Sequence, residues 1–260
     1  AGRVLRRAVL RGAHVQAGAA ATAAAAADLL DTDRVTVIHL GPPALPGTGL
    51  PVAPVPVTPP GTDTLRSDPA GGRPYLIAVG TTERRKDVPA LVAAFDRLVG
   101  GRSDRRDLHL VVAGAAGDDH DRVVEAVGRL APMVRDRVHL LGAVDAATRD
   151  RLVRDARALV YPSLDEGFGF PVLEAQQLGT PVVARAVGSV PEVGGDGVEL
   201  ADGLAIDALA ASIARVIDDE ARRAELVAAG ERNLTRFSWE RAADELVTLY
   251  RRAVDESRAA

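Results

Sequence analysis

From residue 75 onward, short apolar runs alternate with longer stretches of helical period, and this alternation constrains the fold more than any other feature. Strands are predicted at 75–79, 108–113, 138–141, 158–161, 181–184 and 198–200. Helices are predicted near 88–99, 119–130, 146–155, 171–178, 205–218 and 220–235. Runs such as Leu110-Val111-Val112-Ala113 are apolar throughout, as strands are when a parallel sheet is covered on both faces. Alternating β and α units predict a doubly wound, Rossmann-like α/β domain. In that architecture ligands bind beyond the carboxyl ends of the strands.

The alternation begins after a break. Residues 42 to 74 hold 10 of the 16 prolines. Proline at this density forbids helix and central strand and makes an extended, semi-rigid connector. Ahead of it, residues 3–12 and 17–30 read as helices, the second through alanine propensity alone, and Arg34 to Leu40 reads as a strand. At the other end, a last helix is expected from Ser238, a good N-cap with Glu240 in its first turn, to about Asp255.

The chain has 260 residues, a formal net charge of −4 and no cysteine. A mildly acidic balance argues against a nucleic-acid partner, which calls for a concentrated basic face. Without cysteine there is neither a disulfide framework nor a thiolate metal site, and a reducing, cytoplasmic setting is expected. No stretch of about 20 strongly apolar residues is present, so no membrane span is expected. Arg3, Arg6, Arg7 and Arg11 before an alanine tract faintly imitate a targeting peptide, but the tract lacks a leucine-rich centre. The chain starts at Ala1 and its sole methionine is Met133, so a processed chain or a piece of a longer one is expected. Basic residues are arginine almost throughout, and Lys86 is the only lysine.

Two loops follow strands and carry the chemistry. Gly80-Thr81-Thr82-Glu83-Arg84-Arg85-Lys86-Asp87 supplies two hydroxyls and a cluster of cations at the start of a helix, which suits a diphosphate. The second loop runs from Tyr161 to Glu174. Gly167 and Gly169 permit a tight turn and close approach of a ligand to the main chain. Pro171 suits the first position of a helix, whose free N–H groups favour an anion. Glu166 and Glu174 flank that cradle; carboxylates cannot bind phosphate, but they can accept hydrogen bonds from sugar hydroxyls. Phosphate and polyol recognition in one turn suggests a nucleotide sugar.

Glu166-Gly167-Phe168-Gly169-Phe170-Pro171-Val172-Leu173-Glu174 resembles the E-x7-E motif of the retaining glycosyltransferases of family 4, which have the GT-B fold. Gly80 to Asp87 resembles that family's phosphate loop. Leu110 to Gly114, Val138 to Gly142, Ala158 to Ser163, Gly179 to Ala184, Pro191-Glu192-Val193 and Phe237-Ser238-Trp239-Glu240 match in order, so the resemblance runs from about residue 4 to residue 256.

The resemblance implies the donor-binding half of such an enzyme, possibly a mannosyltransferase. Residues 1–40 would be the tail of the acceptor-side domain, 41–73 a linker, 74–235 the nucleotide-sugar domain, and 236–260 a helix crossing back. The rest of the acceptor side, roughly a hundred residues or more, would precede Ala1. Glu166 would hold the donor sugar, with Gly167 and Ser163 in the same loop, and the backbone of Phe168, Gly169 and Phe170 would line sugar and distal phosphate. Glu174 would hold the ribose, Arg85 and Lys86 the diphosphate beside Thr81, and the main chain at Leu141 and Gly142 the base. The donor is a GDP- or UDP-linked hexose, the acceptor a glycan, a lipid-linked sugar or a small molecule, and no metal or cofactor is implied. Peripheral contact with the inner face of a membrane would come through the preceding domain. Trp239, Leu246, Leu249 and Tyr250 would give the last helix its apolar face.

This chain departs from the family pattern with Thr81 for a common arginine, Arg84 for proline, Asp87 for asparagine and Ser189 for the second of two glycines. Alternatives from other classes are a nucleotide-sugar-binding module without transfer activity and a GT-B phosphorylase or epimerase. Asp31-Thr32-Asp33 has metal-site spacing but no supporting ligands, and Asp118-Asp119-His120-Asp121 reads as a helix cap.

Overall fold

A computed structural model describes residues 2–43, 68–100 and 103–259. Most of the proline-rich block therefore falls outside the described residues. The chain opens with α1 (Gly2–Val9), β1 (Val15–Ala17), α2 (Ala20–Leu30) and β2 (Val35–Val37), and β1 and β2 pair in parallel. The 3–12 helix is shorter than expected because Gly12 turns the chain at φ 91°, and β1 occupies part of the expected 17–30 helix. The expected strand at 34–40 keeps only Val35 to Val37.

The doubly wound sheet follows, with every predicted strand and helix and two further short helices: β3 (Tyr75–Val79), α3 (Val88–Val99), β4 (His109–Ala113), α4 (His120–Gly128), α5 (Pro132–Arg135) and β5 (Val138–Gly142), then α6 (Ala146–Arg154), β6 (Ala158–Tyr161), α7 (Phe170–Gln177), β7 (Val182–Arg185), α8 (Val190–Gly194), β8 (Val198–Ala201), α9 (Ile206–Asp218) and α10 (Glu220–Leu234). The additions are α5 and α8. All neighbours are parallel, in the order β5-β4-β3-β6-β7-β8. The chain winds outward from β3 to β5, crosses back, and winds the other way from β6. The loops after β3 and β6 thus diverge at a topological switch point, where such sheets open a binding crevice.

Alternate residues of each central strand feed two cores. Leu76, Ala78, Leu110, Val112 and Val160 face α3, α4 and α9 through Leu91, Phe95, Val123, Leu209 and Ile213. Tyr75, Ile77, Val79, Val111 and Tyr161 face α6 and α7 through Leu152, Val153, Val172 and Ala175. A strand buried on both faces can carry no polar alternation, which is why these strands were legible.

The last helix, α11 (Trp239–Ala259), is capped as expected: the Ser238 hydroxyl accepts from Arg241 N–H at 3.3 Å and donates to Glu240. Its apolar face differs from expectation. Ala242, Leu246 and Leu249 pack on Ile38, whereas Tyr250 is exposed and Trp239 is 43% exposed. The spacing explains this: 242, 246 and 249 share one helical stripe and 250 lies about 100° away from 249. Trp239 instead donates its indole N–H to Pro42 O at 2.8 Å.

Candidate active site

After β3 the chain closes a single 3-10 turn, Arg84–Lys86, ended by Asp87 in the left-handed region at φ 43°. The turn throws two cations towards the loop after β6. Lys86 is 9% exposed and donates to the Tyr161 hydroxyl at 2.6 Å, with its ammonium 4.3 Å from the centre of that ring. Lys86 Nζ also donates to Glu166 Oε1, and Arg85 Nη1 reaches the same oxygen at 2.6 Å. Ser163, fully buried, donates to Glu166 Oε1 as well. The main chain joins the two loops directly, Leu164 N–H donating to Arg85 O at 2.7 Å.

Glu166 is thus a buried carboxylate with three donors gathered on it. Burial opposes its ionisation, but the hydrogen bond from Lys86, the Tyr161 hydroxyl and the charges of Lys86 and Arg85 outweigh that and hold its pKa below the usual glutamate value. Burial lowers the pKa of Lys86 and raises that of the Tyr161 phenol.

The loop after β6 is shaped by backbone demands. Gly169 sits at φ 95° as the N-cap of α7, with Pro171 in the first turn. Gly167, expected to share that role, does not enter the left-handed region; its carbonyl accepts from Thr22 Oγ1 at 2.5 Å. The neighbouring Gly188 is at φ 51°, and a Cβ there would lie 2.5 Å from Glu166 O. The Ser189 hydroxyl donates to that carbonyl at 3.0 Å, so the serine standing for the family's second glycine supports the loop.

Between the two loops lies a cleft of about 510 Å³, lined by Gly80, Thr81, Arg85, Lys86 and Tyr161 on one side and Glu166 to Pro171 on the other. The structure therefore brings Thr81, Arg85, Lys86, Glu166, Gly167, Phe168, Gly169 and Phe170 together, with Ser163 beneath. The side chain of Phe168 turns away into a cluster with Ala19, Leu173, Val193 and Phe237, which leaves its main chain at the cleft. Glu174 lies one turn into α7, outside the lining of this cleft, and faces Arg149 of α6 with Nη2 and Oε1 3.4 Å apart. Leu141 and Gly142 end β5, three strands from β6, and Gly142 O accepts from Gly114 N–H at 2.9 Å.

Burial raises the pKa of Glu174, which Arg149 lowers and Asp150 raises. Tyr161, Arg149 and Thr22 were missed by sequence reasoning. Tyr161 alone had a readable signal, an aromatic hydroxyl at the carboxyl end of an apolar strand.

The arrangement offers two cations, a helix N-terminus and a carboxylate around one cleft. It suits a ligand with adjacent anionic and polyhydroxyl parts.

Residues 64–233 match the model of the family described as Glycosyl transferases group 1. O-antigen chain mannosyltransferase B of Escherichia coli is 34% identical over 177 residues, covering 68% of this chain and 45% of the relative. A D-inositol 3-phosphate glycosyltransferase of Salinispora tropica is 34% identical over 231 residues, covering 78% of this chain and 47% of the relative. This chain therefore spans about half the length of the curated relatives it matches. The structure of sucrose-phosphate synthase from Thermosynechococcus elongatus superposes with a TM-score of 0.72 over 93% of this chain and 58% of that one, at 23% identity, a likeness of fold. With a family match over more than half its length and the sheet order and cleft described above, the chain belongs to the group 1 glycosyl transferases.

Proposed function

We propose that this chain carries the donor half of a retaining, metal-independent glycosyltransferase that takes a hexosyl group, mannosyl in the first instance, from a GDP- or UDP-linked donor. The observation that carries the reading is the convergence of Arg85 and Lys86 on Glu166 across the cleft at the switch point. Both cations share the Glu166 carboxylate, and Arg85 pairs with Glu83 at 2.8 Å as well. A donor diphosphate, with more charge than one carboxylate, would take both cations and release Glu166 to accept hydrogen bonds from the sugar. On this reading Glu174 would hold the ribose and the main chain at Leu141 and Gly142 the base. The mannosyl preference is supported by the likeness to the Escherichia coli mannosyltransferase, and the Salinispora relative supports a small polyol phosphate as one acceptor class.

In the transfer step the acceptor hydroxyl oxygen bonds to the anomeric carbon on the face that the leaving diphosphate vacates. The bond from that carbon to the diphosphate oxygen breaks, and the acceptor's proton passes to the departing phosphate. Once drawn onto the diphosphate, Arg85 and Lys86 would stand where negative charge grows before the bond breaks. The acceptor side would come mainly from the part of the relatives' length that this chain does not span.

A thermal-shift screen of GDP, UDP and their hexose conjugates tests the reading. We expect a rise in melting temperature with one base and a further rise with its sugar conjugate. No shift with any of them would overturn the donor site.

A further inference from the structure

Arg185, the last residue of β7, is the one large charged side chain in the described residues that is almost fully buried (1% exposed) directly beneath the two cleft loops. Its Nη1 donates to Asp87 Oδ2 at 2.6 Å and to Pro162 O at 2.8 Å, and its Nη2 donates to Leu204 O at 3.0 Å. Its Nε has no protein partner. A buried guanidinium is costly unless it is paired and hydrogen-bonded, so its partners indicate what it is held for. Those partners are the loop after β3, the loop after β6 and the loop after β8.

Asp87 directly follows Lys86 and is one of only two non-glycine residues at positive φ among the described residues. That conformation is sparsely populated and persists where surroundings over-determine it. Here its backbone N–H donates to Arg84 O, closing the turn that carries Arg85 and Lys86. Its carboxylate points down to Arg185. Pro162 O, the second acceptor, lies four residues before Glu166 in the other loop.

We propose that Arg185 is a positioning residue for phosphate binding, holding the Arg85–Lys86 turn in register with the Glu166 loop through Asp87 and Pro162. This rests on the donor-site reading above. When a diphosphate draws Lys86 and Arg85 away from Glu166, the bonds that joined the loops through that carboxylate are lost. The Arg185 fork lies below the ligand and stays, so the cations move as side chains on a fixed turn. A lysine at 185 would keep the charge but could not span three acceptors.

The test is calorimetric titration of the full chain with GDP and UDP and, in parallel, with guanosine and uridine. For the diphosphate that the wild type binds, we expect R185K and D87A each to weaken binding at least tenfold while the matching nucleoside binds unchanged. In the R85A/K86A double variant, R185K should add less than twofold, because its effect passes through those two cations. Equal losses for nucleoside and diphosphate, or losses that multiply in the triple variant, would make Arg185 a structural staple and overturn the proposal. So would unchanged diphosphate binding in D87A, the variant that decides the matter if R185K does not fold. No diphosphate binding by the wild type would instead remove the donor site itself, and this inference with it.

Discussion

Arg149 Nη2 lies 3.4 Å from Glu174 Oε1 and 2.9 Å from Asp150 Oδ1, so a single guanidinium serves two carboxylates at the junction of α6 and α7. Burial raises the pKa of Glu174 above the ordinary glutamate value, Arg149 lowers it, and Asp150 raises it further. A carboxyl whose folded pKa is raised contributes stability below its unfolded pKa and loses it as the pH rises through the folded value. At neutral pH ionised Glu174 therefore costs stability. We expect E174Q to raise the melting temperature at pH 7 while weakening nucleotide binding, a trade of stability for function. For the wild type, donor affinity should fall on acidification at a pH above the ordinary glutamate range. The ligand for that titration is the sugar diphosphate, whose phosphates carry no proton near neutrality, and E174Q should flatten the profile. A lowered melting temperature in E174Q would contradict the assignment.

Glu166 and Glu174 are assigned different parts of the ligand, and the ion pair sharpens the distinction. Removing Glu166 frees Lys86 and Arg85 from a competing anion. E166A should thus bind plain GDP or UDP as well as the wild type or better, and lose only the extra affinity of the sugar conjugate. That loss is about 1.5–3 kcal/mol for hydrogen bonds to a charged group, roughly 10- to 100-fold. E174A should weaken both ligands alike. Calorimetric titration of each variant with the diphosphate and its sugar conjugate checks the division, and equal losses for the two variants sink it.

Lys86 is the only lysine in a chain that otherwise uses arginine, and the structure gives a reason. Its ammonium is wedged between the Tyr161 ring and hydroxyl and the Glu166 carboxylate at 9% exposure. A compact, rotatable charge fits there, whereas a planar fork does not. We expect K86R to lower stability by about 1–3 kcal/mol through overpacking and to weaken diphosphate binding at least tenfold despite the conserved charge. Melting curves and titrations on K86R measure both. Wild-type affinity in K86R would show that charge alone matters at this position.

What was legible in the sequence divides along a physical line. The six strands of the main sheet and the helices between them were readable because burial on both faces demands unbroken apolar runs. β1 was not, since three residues, Val15-Gln16-Ala17, are too short to show a period beside an alanine tract. α5 and α8 were missed because four and five residues are too few to show a helical period. The Glu166 loop and the Arg85–Lys86 turn were readable from local chemistry. Their meeting, 81 and 80 residues apart, followed only from the expectation that both sit at strand ends. Arg149 and Arg185 carry no local mark: each is one arginine among many until the fold sets Glu174 and Asp87 against them.

Phe168 couples the cleft to the first 43 residues. It is 7% exposed, its ring centroid is 4.9 Å from that of Phe170 and 6.0 Å from that of Phe237, and it packs with Ala19. A Cβ at Gly18 would come within 3.2 Å of its ring. Around this contact, Thr22 donates to Gly167 O, and Ala20 N–H donates to the Glu192 carboxylate at 2.8 and 3.0 Å. Truncating a buried phenylalanine costs about 3–5 kcal/mol, and here the loss should fall on one junction rather than on the sheet. In F168A we expect faster hydrogen exchange at residues 17–22, including the Ala20 amide, while amides of β3, β4 and β6 keep their protection. Hydrogen exchange read by mass spectrometry separates the two regions. If residues 17–22 exchanged at the wild-type rate, the junction would be held by the polar contacts at Glu192 and Gly167 and the ring would be filling space only.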